Sequence, residues 1–108
     1  MDNSSFHVAL ALGSNLGDRL DSLRKAVKTL SSCIKVVAAS NVYETAPAYI
    51  VDQPVFLNAA VIGTTHLEPL PLLWALKNIE KEIGRTPTFR FGPRVIDIDI
   101  LFYDSLVL

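Results

Sequence analysis

Phe91-Gly92-Pro93-Arg94-Val95-Ile96-Asp97-Ile98-Asp99-Ile100-Leu101 alternates apolar and polar residues once past Pro93. Ile96, Ile98, Ile100 and Phe102 fall on one side, and Asp97 and Asp99 on the other. That is the period of a strand with one buried face. The two aspartates, at i and i+2, share a face with Cα atoms roughly 6.5–7 Å apart. Carboxylates that close repel unless a cation lies between them. Mg²⁺ suits such a pair, because it takes a few carboxylate oxygens and leaves positions open for phosphate oxygens. An amphipathic strand with a solvated acidic face has the same pattern, so the pair alone does not choose between the two. Arg94, just ahead of the strand, adds a planar fork that matches phosphate.

Working back from this strand, residues 86–93 form a loop with Arg90, two prolines and a glycine. Before it lies a helix opened by Glu68-Pro69, with proline in the tolerated first turn. Leu72, Leu76, Ile79 and Ile83 make its apolar stripe, and Leu73 and Trp74 widen it. Gly84 fits a C-terminal cap, and Glu80 and Arg85 stand at the helix end. Residues 56–65 read as a strand in which Phe56 and Asn58 share a face. An aromatic ring beside an amide can stack a planar heterocycle and bond its edge; a core aromatic next to a satisfied asparagine looks the same. Residues 46–54, bracketed by Pro47 and Pro54, are a long loop, and long loops often bind.

Residues 34–45, with Val36, Val37, Val42 and Tyr43, predict one further strand. The apolar run 6–12 predicts the first, ended by Gly13-Ser14-Asn15. A helix to about Ser32 follows, striped by Leu16, Leu20, Leu23, Val27 and Leu30. The glycine turn before it could offer N–H groups to an anion. It matches neither the phosphate-loop nor the dinucleotide pattern, and a tight turn that needs glycine flexibility is the simpler account. The order βαββαβ predicts an α+β, ferredoxin-like fold: one four-stranded antiparallel sheet, strand order 4-1-3-2, with two helices on one face. The other face would then carry Asp97, Asp99, Phe56 and Asn58 together, flanked by the two proline-marked loops.

The 108 residues suffice for one domain spanning 1–108. A net charge of −1 gives no electrostatic case for binding nucleic acid or a membrane surface. A ferredoxin-like RNA binder would show paired sheet aromatics and a basic surface, and neither is present. The single cysteine, Cys33, cannot form an internal disulfide and is compatible with a reducing cytoplasm. Met1-Asp2-Asn3-Ser4-Ser5 lacks the charged-then-apolar pattern of a signal peptide, and the chain is expected to be cytoplasmic.

Five segments carry a family resemblance: 11–18 (Ala-Leu-Gly-Ser-Asn-Leu-Gly-Asp), 43–47 (Tyr-Glu-Thr-Ala-Pro), 53–59 (Gln-Pro-Val-Phe-Leu-Asn-Ala), Ile79-Glu80 with Gly84-Arg85, and 92–100 (Gly-Pro-Arg-Val-Ile-Asp-Ile-Asp-Ile). In order and spacing they resemble 6-hydroxymethyl-7,8-dihydropterin pyrophosphokinase of folate biosynthesis. The resemblance implies the ferredoxin-like core and transfer of pyrophosphate from ATP to the pterin hydroxymethyl group, with AMP as second product. It implies that Asp97 and Asp99 hold two Mg²⁺ ions, and that Arg85 and Arg94 contact the phosphates. Arg90 corresponds to a mobile arginine of the catalytic loop. Glu80, Phe91 and Ile100 match positions near the nucleotide. Thr45, Pro47, Phe56 and Asn58 match the pterin site.

Some positions depart from the family pattern. The loop ahead of Arg94 is a residue short of some members, Pro87 stands where a second arginine can occur, and Phe91 where some have tryptophan. The family continues past the fourth strand into a segment with further nucleotide and pterin contacts, so a fragment or natural short form is expected. The alternative is a non-catalytic pterin- or nucleotide-binding or interaction module on the same core. Small-molecule substrates are the expected partners.

Overall fold

The computed structural model describes residues 5–46, 54–84, 93–104 and 106–107. Strand β1 (Phe6–Ser14) leads into helix α1 (Arg19–Leu30), then β2 (Lys35–Ala39), β3 (Tyr43–Thr45) and β4 (Phe56–Thr65). Helix α2 (Pro69–Ile83), β5 (Asp97–Tyr103) and β6 (Leu106–Val107) complete the order. Among the described residues the fold is α+β: two helices and one antiparallel sheet.

The sheet has six strands where four are expected. Its order is β2-β4-β1-β5-β6, with β3 also paired to β4. The segment expected as one strand, 34–45, divides into β2 and β3, both held by β4. At the divide Ser40 fastens to Ala60: the Ser40 N–H donates to the Ala60 carbonyl at 2.8 Å, and the Ala60 N–H to Ser40 Oγ at 2.8 Å. β6 adds to the far side of β5.

One face of the sheet is packed by both helices. Val8, Leu10, Leu12, Val61 and Ile98 meet Leu23, Ala26 and Leu30 of α1 and Leu72, Leu76 and Ile79 of α2 in one core cluster. Each valine, leucine or isoleucine among them contributes about 1.5–3 kcal/mol by leaving water. Asp18 caps α1, its carboxylate accepting from the Asp21 N–H at 3.1 Å. Gly84 ends α2, donating its N–H to the Glu80 and Lys81 carbonyls. The expected stripes shift slightly. Leu16 and Leu20 are exposed, and Trp74 is 62% exposed on the outside of α2 instead of widening its core face. Among the described residues no helix is long and apolar enough to cross a membrane.

β1 runs two residues further than expected and includes Gly13 and Ser14. The positive-φ glycine of the turn is Gly17 (φ 73°), not Gly13. A second correction concerns Phe102. A register shift between Ala9 and Leu10 sets Phe102 opposite Ala9 and Tyr103 opposite Val8. The bulge reverses the alternation, so buried Tyr103 takes the core side and Phe102 the open side.

Candidate active site

The register builds the site. Gly13 on central strand β1 lies opposite Asn58 of β4 and opposite Asp97 of β5. Ala11, two residues back, lies opposite Ala60 and Asp99. Partners across a ladder point to the same side, so the amide and both carboxylates rise from one face over a floor of glycine and alanine. Phe56 and Asn58, two apart on β4, share it. The result is a cleft of about 250 Å³ lined by Gly13, Thr45, Phe56, Asn58, Asp97 and Asp99, with Ala11, Leu12 and Ala46. The structure thus brings together five of the residues singled out from sequence.

A side chain at position 13 would crowd the cleft. A Cβ there would stand 3.1 Å from Asn58 Oδ1 and 3.3 Å from Phe56 Cδ1. Asn58 is oriented by its other end: Nδ2 donates to Thr45 Oγ1 at 2.7 Å and to the Tyr43 carbonyl at 3.4 Å. Its Oδ1 is left facing the cleft floor as an acceptor. β3 exists to make this arrangement, since it sets Tyr43 beside Asn58 and Thr45 beside Phe56.

At the carboxylate end Arg94 Nη1 pairs with Asp97 Oδ2 at 3.1 Å, both side chains mostly buried. Arg94 Nε is buried with no partner among the described residues. Asp99 opens to solvent, but the cleft walls shelter its carboxyl. That shelter, then the charge and hydrogen bond of Asp97, push it up to about 6, against the pull of Lys77. The pair resists holding two negative charges unaided, which is the electrostatic condition that favours a divalent cation. Among the described residues no group of three or more acidic, histidine or cysteine side chains is gathered. Two carboxylates leave most of a Mg²⁺ shell to water and ligand oxygens, which suits that ion.

Other expected residues stand elsewhere. Glu80 is 2% exposed, on the helix side of β5. Its Oε2 accepts from the Ile98 N–H at 2.7 Å, and Lys77 pairs with Oε1 at 3.3 Å. It therefore fixes the backbone between the two aspartates. Ile100 packs against the core. Pro47, Arg85, Arg90 and Phe91 lie outside the described residues. Two features went unread in the sequence. One is the floor role of Gly13. The other is Asn15, fully buried and bonded to both Pro54 and Arg94.

Comparison with known proteins agrees with this geometry. The family profile of 7,8-dihydro-6-hydroxymethylpterin-pyrophosphokinase (HPPK) matches residues 9–108. A mitochondrial folate synthesis bifunctional protein of Pisum sativum is 56% identical over 97 residues, covering 89% of this chain and 19% of the pea protein. The 2-amino-4-hydroxy-6-hydroxymethyldihydropteridine pyrophosphokinase of Aquifex aeolicus is 43% identical over 101 residues, covering 94% of this chain and 63% of that one. The chain thus spans about a fifth of the pea relative and under two thirds of the bacterial one. The crystal structure of Plasmodium falciparum HPPK-DHPS with pteroate superposes with a TM-score of 0.71 at 20% identity, over 96% of this chain and 29% of that one; it shares the fold. Matched by the family profile over residues 9–108, the chain belongs to the 7,8-dihydro-6-hydroxymethylpterin-pyrophosphokinase family.

Proposed function

We propose that this chain transfers pyrophosphate from ATP to 6-hydroxymethyl-7,8-dihydropterin, giving AMP and the pterin pyrophosphate in folate biosynthesis. The observation that carries the proposal is the row across Gly13: a ring-sized slot beside Phe56 and Asn58 opens directly onto a carboxylate pair with an arginine. A flat pterin would stack on Phe56 and present its N–H donors to Asn58 Oδ1, while Thr45 and Pro47 border it. Its hydroxymethyl group would then point to Asp97 and Asp99. The pterin hydroxyl oxygen bonds to the β-phosphorus as the bond between that phosphorus and the α,β-bridging oxygen breaks. The hydroxyl proton leaves to water and AMP departs.

Asp97 and Asp99 would hold Mg²⁺, two ions with ATP bound, whose chemistry is charge neutralisation and alignment of the phosphates. Arg94 orients a phosphate while anchored on Asp97, and Arg85 and Arg90 share that task. For the base and ribose we assign the flank of β5 near the end of α2, with Ile100 and Phe91 as candidate contacts and buried Glu80 acting through its hold on the Ile98 N–H. The core order β5-β1-β4-β2 supports a ferredoxin-like arrangement with β6 added beyond β5 and β3 continuing the β2 edge along β4, and residues 1–108 are read as one pyrophosphokinase-like domain. A reducing compartment, the cytoplasm, fits the lone Cys33; the pea relative is by its name mitochondrial.

The test is AMP formation from Mg²⁺, ATP and the pterin alcohol. AMP that depends on all three is expected. Pterin and ATP binding without AMP would leave the chain as a non-catalytic binding module, and no binding of either would remove the proposal.

A further inference from the structure

We propose that Asn15 is a positioning residue that ties the pterin wall of the cleft to its phosphate arm; this rests on the function proposed above. Asn15 lies in the turn between β1 and α1, fully buried. Its Oδ1 accepts from the Arg94 N–H at 2.8 Å, and its own N–H donates to the Arg94 carbonyl at 3.0 Å. Its Nδ2 donates to the Pro54 carbonyl at 3.3 Å. Arg94 is 79 residues away in sequence and Pro54 is 39 residues away.

A buried carboxamide is costly unless its donors and acceptors are met. Here they are met by backbone groups just ahead of β4 and β5, the two strands that carry the site. Pro54 stands two residues before Phe56. Arg94 stands three before Asp97 and holds it through Nη1. One side chain therefore fixes the spacing between the ring slot and the phosphate-facing guanidinium. Drift of about an ångström between reacting groups is enough to cost roughly 100-fold in rate. The pterin side has a second tether, since Arg19 Nη1 donates to the Val55 carbonyl at 2.6 Å. Loss of Asn15 is therefore felt more on the nucleotide side.

The experiment compares Asn15→Ala, Asn15→Asp and wild type, each as the full chain. Asn15→Ala should raise KM for ATP about tenfold and lower kcat by at least as much, with a smaller rise in KM for the pterin. Asn15→Asp keeps the acceptor for the Arg94 N–H and loses the donor to Pro54. It should recover KM for ATP while KM for the pterin stays raised. Amide exchange at Arg94 should speed up in the alanine variant and return toward wild type in the aspartate variant. Thr65→Val is the control: buried Thr65 Oγ1 donates to the Cys33 carbonyl at 2.8 Å and accepts from the Leu67 N–H at 3.1 Å, at the far end of β4. It should lower Tm and leave both KM values alone.

Wild-type KM values in Asn15→Ala, or equal kinetic losses in Thr65→Val, would overturn the proposal. So would recovery of the pterin KM ahead of the ATP KM in Asn15→Asp. Should the alanine variant not fold, the split between the two KM values in Asn15→Asp decides. If wild type forms no AMP, the proposed function fails, while exchange at Arg94 still tests the tether.

Discussion

The two ends of the open sheet face are built from the same strands and do opposite things. At one end β1 offers Ala11 and Gly13, and its neighbours raise Asn58, Asp97 and Asp99 around a hollow. At the other end His7, Ala9, Val37, Ile62 and Phe102 line a shallow apolar depression of about 270 Å³. The difference lies in the ladders. Through the cleft end β1, β4 and β5 pair without interruption, so strict alternation sends every polar residue of β5 to the open side. Beyond it, bulges interrupt β5 against β1 and β2 against β4, and apolar residues change faces. Chemistry is confined to where the alternation is unbroken.

The largest expected contrast between the ends is catalytic. Asp97→Ala or Asp99→Ala should reduce AMP formation by about 100- to 1000-fold or more, with circular dichroism unchanged. Activity retained in either variant would erase the distinction. Next comes the floor. Gly13→Ala puts a methyl group against Asn58 and Phe56, and a pterin analogue should lose roughly tenfold in affinity by calorimetry. Ala9→Val, on the same strand at the far end, should leave that affinity unchanged.

A smaller effect concerns stability. Because the Asp99 carboxyl is raised to about 6, against about 4 when unfolded, the folded chain binds this proton more tightly. Stability from this group is present at low pH and is lost as pH rises through 6. With divalent ions chelated, Asp99→Asn should therefore stabilise the fold above pH 6 by on the order of 1 kcal/mol, a figure reduced for solvent screening. The gain should vanish below pH 4 in thermal melts. Equal melting curves at pH 8 would contradict the assigned cause. Smallest of all, Ile62→Ser on the apolar end should stay within about 0.5 kcal/mol in stability and leave turnover unchanged.

Much of the site was legible because it depends on period-two alternation. Asp97 and Asp99 had to share a face, and so did Phe56 and Asn58; the strand order then brought the pairs together. Interruptions of the alternation were not legible. Nothing in Leu101-Phe102-Tyr103 marks the bulge that exchanges Phe102 for Tyr103, and Ser40-Asn41, the turn-forming pair between β2 and β3, was outweighed by the valines around it. Asn15 looked like a turn residue, since its partners are remote in sequence. The flexibility read into the 13–18 turn belongs to Gly17, and at Gly13 what matters is the missing side chain. Glu80 was placed at the end of a helix, and only packing shows that its carboxylate turns inward to the Ile98 N–H.

That buried acid also bears on the edge of the sheet. β6 accompanies β5 only at Phe102 and Tyr103. From Asp97 to Leu101, the flank of β5 away from β1 has no strand beside it among the described residues. A bare row of amides and carbonyls is a template on which another copy could add a strand. Glu80 occupies the Ile98 amide in the middle of that row, with Lys77 holding its charge in place. The same carboxylate that steadies the backbone between Asp97 and Asp99 therefore takes the Ile98 amide out of the set that an added strand could use.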